Sequence, residues 1–217
     1  MNRLAIFDCD GTLVDGQASI CAAMESCFVA AGMQAPARER TRRLVGLSMM
    51  DAMQVLLPGA EAELHAELVE GYKSAFQQLR RDGLVEEPLY DGVEQVLAAL
   101  EAEGWLLGVA TGKSDRGLGH CLDCHGIKGR FVTLQTADRH PSKPHPSMIE
   151  QAMADAGAAP QTTVMIGDTS YDMAMARSAG ARAVGVTWGY HGAQDLLAAG
   201  AHILADHPSQ LPEMIMT

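Results

Sequence analysis

The amino-acid sequence predicts an α/β fold in which a parallel sheet carries helices on both faces. Two observations support this prediction. After residue 88, short apolar segments alternate with amphipathic helical segments, and such β-α repeats form parallel sheets with right-handed crossovers. Between residues 19 and 81 the pattern is almost entirely helical. We therefore predict a Rossmann-like core from residues 1–15 and 88–217, with residues 16–87 inserted as an all-helical cap.

The first strand is predicted at residues 4–7, because this apolar run stops at a cluster of Asp, Gly and Thr. In the inserted segment, Gly32, Gly46 and the Pro58-Gly59 pair are expected to separate helices. Farther along the chain, helices are predicted at residues 92–102, 114–125, 146–156 and 171–178, and strands at residues 105–110, 131–134, 163–166 and 183–186.

The composition excludes several classes of partner. The chain has 217 residues and a formal net charge of -11, whereas nucleic acids and anionic membranes are bound by basic surfaces. No apolar run approaches the ~18 residues of a membrane span, and the amino-terminal apolar stretch contains acids, unlike a secretory signal. We expect a cytosolic protein without nucleic-acid or membrane partners.

The five cysteines do not resemble a disulfide framework, and they fit a reducing compartment. Cys121 and Cys124 form a C-x-x-C-H pattern with His125, which is compatible with haem attachment or with a zinc site. A cluster on a single predicted helix places few ligands on one face. We interpret both residues as thiols at helical spacing that partly face the core.

Four polar clusters lie at predicted strand ends or in the following loops, in widely separated parts of the chain. They are Asp8-Cys9-Asp10-Gly11-Thr12, Thr111-Gly112-Lys113-Ser114, Ser142-Lys143-Pro144 and Gly167-Asp168-Thr169-Ser170-Tyr171-Asp172. Ligands of parallel sheets bind beyond the carboxyl ends of the strands. We therefore expect the four clusters to meet in one site.

These four motifs, in this order, resemble those of the haloacid dehalogenase-like hydrolase superfamily. The helical segment after the first motif is similar to the cap of its phosphoglycolate phosphatase-like branch, and the resemblance extends over the whole chain. It implies a magnesium-dependent phosphatase that hydrolyses a small phosphorylated metabolite, phosphoglycolate-like or a sugar phosphate. It also implies an aspartyl-phosphate intermediate.

The resemblance assigns the nucleophile to Asp8 and the general acid and base to Asp10. A carboxylate can attack phosphorus and so divide one hard hydrolysis into two easier steps. A second carboxylate within hydrogen-bond reach can protonate the leaving alkoxide and then activate water. A spacing of two lets both acids leave the strand end on one side, whereas Cys9 between them points away.

A divalent cation is required, because two neighbouring carboxylates would otherwise repel a phosphate dianion. Mg²⁺ prefers oxygen ligands of this kind. By resemblance the ligands are Asp8, the backbone carbonyl of Asp10, and Asp168. Asp172 matches the family's second acid and could bind the metal through water or orient Lys143. Asp168 could also cap the following helix, with or without a metal role.

The substrate phosphate is expected to be bound by Thr12, Thr111, Gly112 and Lys143. Thr111 and Gly112 offer a hydroxyl and backbone N–H groups at a helix start, which is a ready anion site. Thr111 could alternatively be a turn residue. Lys143 could neutralise the charge that develops on the transferring phosphoryl group.

The segment around Gly46 resembles the family's substrate-specificity loop in the cap. Arg43, Gly46, Leu47 and Ser48 are the candidate substrate-binding residues, and Arg43 could meet a carboxylate or a second phosphate. Arg42 and Arg43 could equally form a solvated helix face. Four histidines without an identifiable partner are expected at the surface or in loops: His65, His140, His145 and His191.

Three other functions share parts of this pattern. A phosphomutase of the β-phosphoglucomutase type would carry every core motif but keep water from the aspartyl-phosphate, and Thr12 is more typical of phosphatases. A haloacid dehalogenase has no alkoxide to protonate and resembles this chain less at Asp10. A non-catalytic phospholigand-binding or regulatory protein would keep the fold without turnover, which the complete set of acids disfavours. The natural substrate and the oligomeric state stay open.

Overall fold

The computed structural model describes residues 1–216, which contain a six-stranded parallel sheet. The strands are β1 (Asn2–Phe7), β2 (Trp105–Thr111), β3 (Phe131–Thr136), β4 (Ala158–Gly167), β5 (Arg182–Val186) and β6 (Ile203–Ala205). Their order is β3-β2-β1-β4-β5-β6, so the amino-terminal strand lies near the centre. The predicted α/β fold with a parallel sheet is confirmed.

Residues 17–81 contain four helices, α1 (Gln17–Ala30), α2 (Arg38–Arg42), α3 (Met49–Leu56) and α4 (Ala62–Arg81). We call these four helices the helical unit. Gly32, Gly46 and the Pro58-Gly59 pair lie between them, as predicted. The helical unit has its own apolar cluster, separate from the clusters of the sheet and built around Met24, Phe28, Met53 and Leu68.

Two adjacent chain segments join the helical unit to the sheet. The backbone N–H of Asp15 donates to the carbonyl of Pro88 over 2.9 Å, and the N–H of Tyr90 donates to the carbonyl of Leu13 over 3.0 Å. The entry and the exit of the helical unit are therefore tied to each other. The entry lies directly after the first polar motif.

Helices cover both faces of the sheet, and each face has its own apolar cluster. One face carries α5 (Val93–Ala102), α6 (Asp115–Cys124) and α10 (Leu211–Met216). The other carries α7 (Ser147–Ala156), α8 (Ser170–Ser178) and α9 (Ala193–Ala198). Short 3-10 turns lie at Lys128–Arg130 and Pro208–Gln210. No helix within residues 1–216 is both long enough and apolar enough to cross a membrane.

The order of the strands positions the site. β2 and β3 lie on one side of β1, whereas β4, β5 and β6 lie on the other. The strand order therefore reverses between β1 and β4, and parallel sheets bind their ligands at such a switch point. Phe7, the last residue of β1, pairs with Val109 in β2 and with Ile166 in β4. The residues that follow these strands share one crevice.

The sequence pattern missed several elements near the carboxyl terminus. α9, β6 and α10 have only six, three and six residues, which is too short for a clear periodicity. β4 also begins at Ala158 and not at residue 163. The central strands and longer helices match the predicted segments to within a few residues at most boundaries.

The expectation for the histidines was wrong in part. His65 is buried in α4, where its Nε2 lies 2.9 Å from the carbonyl oxygen of Leu57. A buried polar ring needs such a partner. His140 and His191 lie in loops, as expected, and are partly buried and hydrogen-bonded. His145 is exposed, as expected.

Candidate active site

Asp8 follows the central strand and is buried, with 1% of its surface exposed. Its Oδ1 accepts a hydrogen bond from the N–H of Cys9 (2.6 Å) and lies 2.9 Å from Nζ of Lys143. Its Oδ2 is buried without a hydrogen-bond partner among residues 1–216. Burial, opposed by Lys143, raises the pKa of Asp8 to about 7. This free oxygen has no protein partner and could meet a cation or a phosphorus atom.

Lys143 lies beside the acids at the bottom of the crevice. Its Nζ is 2.9 Å from Oδ1 of Asp8 and 2.6 Å from Oδ1 of Asp172, and its side chain is fully buried. Burial alone would lower the pKa of Lys143, but the two carboxylates outweigh it and raise the pKa above its ordinary value. The ammonium group therefore stays charged and joins the first motif to the last.

Asp168 follows β4 and faces Asp8 across the crevice. Its Oδ1 accepts a hydrogen bond from the hydroxyl of Thr12 (2.8 Å), and its Oδ2 accepts one from the N–H of Tyr190 (2.9 Å). A Cβ at Gly11 or at Gly189 would collide with this carboxylate, so both glycines are needed for its position. Burial, together with the charges of neighbouring acids, raises the pKa of Asp168 well above its ordinary value.

Asp172 is held on α8 by two sets of contacts. Its Oδ2 accepts hydrogen bonds from the N–H (3.1 Å) and the hydroxyl (2.7 Å) of Thr169. The first of these bonds and the one that the N–H of Asp172 donates to the hydroxyl oxygen of Thr169 (3.3 Å) form the capping box of the helix. Oδ1 of Asp172 accepts from Lys143. Because both oxygens are already engaged, this geometry favours an orienting role toward Lys143.

The acids fit a divalent cation. One carboxylate oxygen each from Asp8, Asp168 and Asp172 lie within 4.8 Å of one another, and all three residues are buried. Three carboxylates face a single ammonium group, so a cation would relieve their repulsion. An all-oxygen donor set of this charge suits Mg²⁺. The carboxylate of Asp10 lies outside this group, although its backbone carbonyl was the expected ligand.

Asp10 belongs to a buried ionic chain that the sequence did not predict. Its Oδ1 lies 3.0 Å from Nζ of Lys113, which lies 2.6 Å from Oε1 of Glu87. Arg80 at the end of α4 continues the chain, 3.1 Å from Oε2 of Glu87. Burial raises the pKa of Asp10, and Lys113 opposes that effect. A Cβ at Gly16 would lie 2.8 Å from Oδ1 of Asp10, so a small residue is needed there.

The second motif lies at the end of β2. Thr111 is buried, and its hydroxyl accepts a hydrogen bond from the N–H of Lys113 (3.2 Å). Gly112 lies under the loop that joins α2 to α3. A Cβ there would lie 2.5 Å from the carbonyl oxygen of Leu47 and 2.7 Å from that of Gly46. The helical unit and the sheet therefore approach each other at backbone distance.

Three of the four candidate residues in that loop lie at the crevice. Gly46 has a φ of +101°, a conformation that favours glycine, and it packs against Thr169. The N–H of Ser48 donates to the hydroxyl of Ser142 over 2.8 Å. Gly46, Leu47 and Ser48 line a cavity of about 500 Å³ between the helical unit and the sheet, together with Asp8, Asp10, Thr111 and Gly112.

Three candidate substrate-binding side chains do not line this cavity. Arg43 is largely exposed and forms an ion pair with Asp195 (3.5 Å) outside this cavity, while its carbonyl accepts hydrogen bonds from Tyr171 and His191. It fixes the helical unit to the sheet, since its pairing partner follows β5. The side chain of Thr12 points to Asp168, and that of Lys143 contacts Asp8 and Asp172; neither lines the cavity.

The cysteine pattern is divided between core and surface. Cys121 is buried, with its Sγ 3.9 Å from the Sγ of Cys9, whereas Cys124 is exposed. All five cysteines are free thiols. The contact also places Cys9 in the core, away from the cavity between the helical unit and the sheet.

Comparison with known proteins gives a consistent result. A family model described as haloacid dehalogenase-like hydrolase matches residues 5–186. The chain is 37% identical to Probable phosphatase IndB of Dickeya dadantii (strain 3937), over 97% of this chain and 92% of that protein. It is 27% identical to phosphoglycolate phosphatase of Vibrio vulnificus (strain YJ016), over 99% and 96%. A crystal structure of a predicted phosphatase from Clostridium acetobutylicum has the same fold, with a TM-score of 0.89, 23% identity and coverage of 100% and 99%.

Proposed function

This chain belongs to the haloacid dehalogenase-like hydrolase family and is a phosphatase. We propose that it hydrolyses a small phosphate monoester in a Mg²⁺-dependent reaction, in which Asp8 is the nucleophile. One observation carries the proposal. Oδ2 of Asp8 is buried and unpaired, in a carboxylate whose Oδ1 contacts Lys143, that belongs to the cluster with Asp168, and that lines the cavity. A buried carboxylate oxygen without a partner is costly unless a ligand engages it.

The first chemical step transfers the phosphoryl group to Asp8. A carboxylate oxygen attacks phosphorus, the bond between phosphorus and the alcohol oxygen breaks, and Asp10 gives a proton to the departing oxygen. The raised pKa of Asp10, which its burial causes, favours the protonated form that this step needs. Lys143 balances the negative charge on the phosphoryl oxygens.

The second step returns the enzyme to its starting state. Asp10, now ionised, takes a proton from a water molecule whose oxygen attacks phosphorus. The bond between phosphorus and Asp8 breaks, and inorganic phosphate leaves. Thr111 and Gly112 hold the phosphate oxygens in both steps, through a hydroxyl and backbone N–H groups.

Asp8, Asp168 and the backbone carbonyl of Asp10 would hold the Mg²⁺ ion. When bound, it supplies positive charge that offsets the repulsion between phosphate and carboxylates. Asp172 fits best as the residue that orients Lys143, with a water-mediated metal contact as the alternative. Thr12 positions Asp168 through its hydroxyl.

Residues 16–87 act as a cap in this proposal. Gly46, Leu47 and Ser48 close over Thr111 and Gly112 and exclude water while the phosphoryl group moves. The proposed substrate is a small phosphate ester. The five free thiols support a cytosolic location.

The test is phosphate release from p-nitrophenyl phosphate with Mg²⁺. We expect EDTA to abolish turnover reversibly, Asp8→Asn to abolish it, and Asp10→Asn to reduce it about 100-fold or more. Asp91→Asn is the matched control, because the Asp91 side chain is 98% exposed. Near-normal turnover by Asp8→Asn would refute the covalent mechanism. Conversion of β-glucose 1-phosphate to glucose 6-phosphate without phosphate release would indicate a mutase.

A further inference from the structure

The cavity above the carboxylates is much larger than a two-carbon acid needs. Its volume is about 500 Å³, and at about 30 Å³ per water molecule it holds on the order of 15 water-sized groups. Small-molecule sites of this size bury most of the ligand surface. The apolar part of its lining includes Met24, Leu44, Leu47, Val69, Tyr72 and Phe76.

The inner cations of the cavity are already paired with protein carboxylates. Lys113 lies 3.0 Å from Asp10 and 2.6 Å from Glu87, and Arg80 lies 3.1 Å from Glu87. These side chains are mostly buried, so their mutual attraction is strong and a substrate anion would have to compete with it. Glu87 pairs with both cations whether or not Asp10 is protonated, so a substrate carboxylate would have to displace Glu87.

The remaining cations of the lining lie at its solvent-exposed rim. Lys73 is 2.7 Å from Glu70, and both side chains are substantially exposed. Arg116 is exposed as well. Exposed charges of this kind contribute little to binding, because water and salt screen them. A carboxylate that entered the cavity would lose its hydration without gaining a buried partner, which is costly.

The wall that faces the catalytic acids carries an aromatic pair. Tyr72 and Phe76 are one turn apart on α4, with ring centroids 6.0 Å apart and planes tilted by 41°. The Phe76 ring lies 5.2 Å from the guanidinium of Arg80 and 5.8 Å from the ammonium of Lys113. Burial raises the pKa of Tyr72, so its hydroxyl stays neutral. The pair offers flat apolar surface and a neutral polar group.

From the cavity's size, its apolar lining and its paired cations, we infer that the substrate is the phosphate monoester of an uncharged, ring-containing alcohol and not a short phosphorylated carboxylic acid. This inference rests on the proposed phosphatase function. The phosphate binds at the floor, beside Asp8 and Thr111, and the ring of the leaving group lies against Phe76 and Tyr72. Burial of that ring provides the selectivity.

The direct test compares benzyl phosphate with phosphoglycolate. Both are esters of primary alcohols, but one leaving group is a neutral ring compound and the other carries a carboxylate. We expect kcat/KM with Mg²⁺ to be at least about tenfold higher for benzyl phosphate, the factor that burial of a few apolar groups supplies. Equal or higher kcat/KM for phosphoglycolate would overturn the inference. This comparison uses the unmodified protein.

A variant pair tests the role of the aromatic wall. Phe76→Ala should lower kcat/KM for benzyl phosphate about tenfold and change that for phosphoglycolate less than about twofold. Val29→Ala is the control, since Val29 is 67% exposed on α1 and lies outside the cavity. Phe76→Leu, which keeps most of the volume, should show a smaller change in the same direction. Equal losses for both substrates would mean that Phe76 is structural, and would overturn this part of the inference.

The outcomes separate the two proposals. No phosphate release from p-nitrophenyl phosphate, benzyl phosphate or phosphoglycolate would reject the phosphatase proposal, and the substrate inference with it. Release from p-nitrophenyl phosphate combined with a preference for phosphoglycolate would reject only the substrate inference.

Discussion

Asp8 is under two opposing influences. Burial disfavours its negative charge, whereas the ammonium of Lys143 at 2.9 Å favours it, and the result is a pKa raised to about 7. A divalent cation beside Oδ2 would add to the effect of Lys143 and keep Asp8 ionised. A nucleophile must be ionised to attack, so the acid and its cationic neighbours have to be considered together.

Lys113 is the residue whose substitution tests the positioning of Asp10. Lys113→Met removes the ammonium 3.0 Å from Asp10, and we expect kcat to fall about 10-fold to 100-fold with a smaller change in KM. The same variant removes one of the two cationic partners of Glu87, so the free energy of unfolding should fall by about 3 kcal/mol. Steady-state kinetics and denaturant unfolding measure the two effects.

A double variant separates positioning from stability. Glu87→Gln added to Lys113→Met restores the charge balance of the buried chain but not the partner of Asp10. We expect unfolding free energy to recover in part while kcat stays low. Recovery of kcat together with stability would show that Lys113 acts only through the fold.

The residues of the candidate site differ in how clearly the sequence predicts their roles. Asp8, Asp10 and Asp168 stand at strand ends within a recognisable ordered pattern. Lys113 belongs to the second motif, but its role depends on Glu87, 26 residues away. Arg43 was expected at the substrate because it adjoins the loop, yet side-chain direction on a short helix is not fixed by spacing alone. Such pairings follow from tertiary packing.

The loop between α2 and α3 is the element that brings the helical unit onto the sheet. Its carbonyls lie so close to Gly112 that a methyl group has no room, with 2.5 Å to the oxygen of Leu47. We expect Gly112→Ala to displace this loop and to lower kcat/KM by up to about 100-fold, the effect of a displacement near 1 Å in a catalytic site.

The matched control for that loop is Gly59→Ala. Gly59 also lies in the helical unit, but a Cβ there would meet nothing within 4 Å. Its kcat/KM should stay within about twofold of the unmodified protein, and the melting temperatures of both variants should be measured alongside. Normal kinetics in Gly112→Ala would mean that the loop is not part of the working site.

Elements were predicted well where the sequence has a strong period. The buried run of β1 and the long amphipathic α4 each have enough residues to show their type. β6 has three residues in an Ala- and Gly-rich stretch, and it is a strand because β5 offers a free edge to pair with. Its formation therefore depends on pairing with β5, which no local sequence pattern indicates.

At the scale of the whole molecule, an acidic chain concentrates further negative charge in one buried cluster. Mg²⁺ binding should therefore stabilise the fold. At a concentration 100 times its Kd the gain is about 2.7 kcal/mol, which corresponds to a rise in Tm of about 5 to 10 °C for a chain of this size. Calorimetry with and without Mg²⁺ measures it.

The Asp168→Asn variant tests where the ion binds. We expect it to lose the Mg²⁺-dependent rise in Tm, because one of the buried carboxylates near Asp8 is gone. Asp91→Asn, with an exposed side chain, should keep the full rise. An unchanged response in Asp168→Asn would place the ion elsewhere in the molecule.

The most direct measurement is chemical trapping of the intermediate. The protein is mixed with p-nitrophenyl phosphate and Mg²⁺, quenched in acid during turnover, reduced with borohydride and analysed by peptide mass spectrometry. An aspartyl-phosphate is reduced to homoserine, so we expect homoserine at position 8 only in samples that received substrate. Turnover with Asp8 always recovered intact, or with the modification at another acid, would contradict the assignment of Asp8 as the nucleophile.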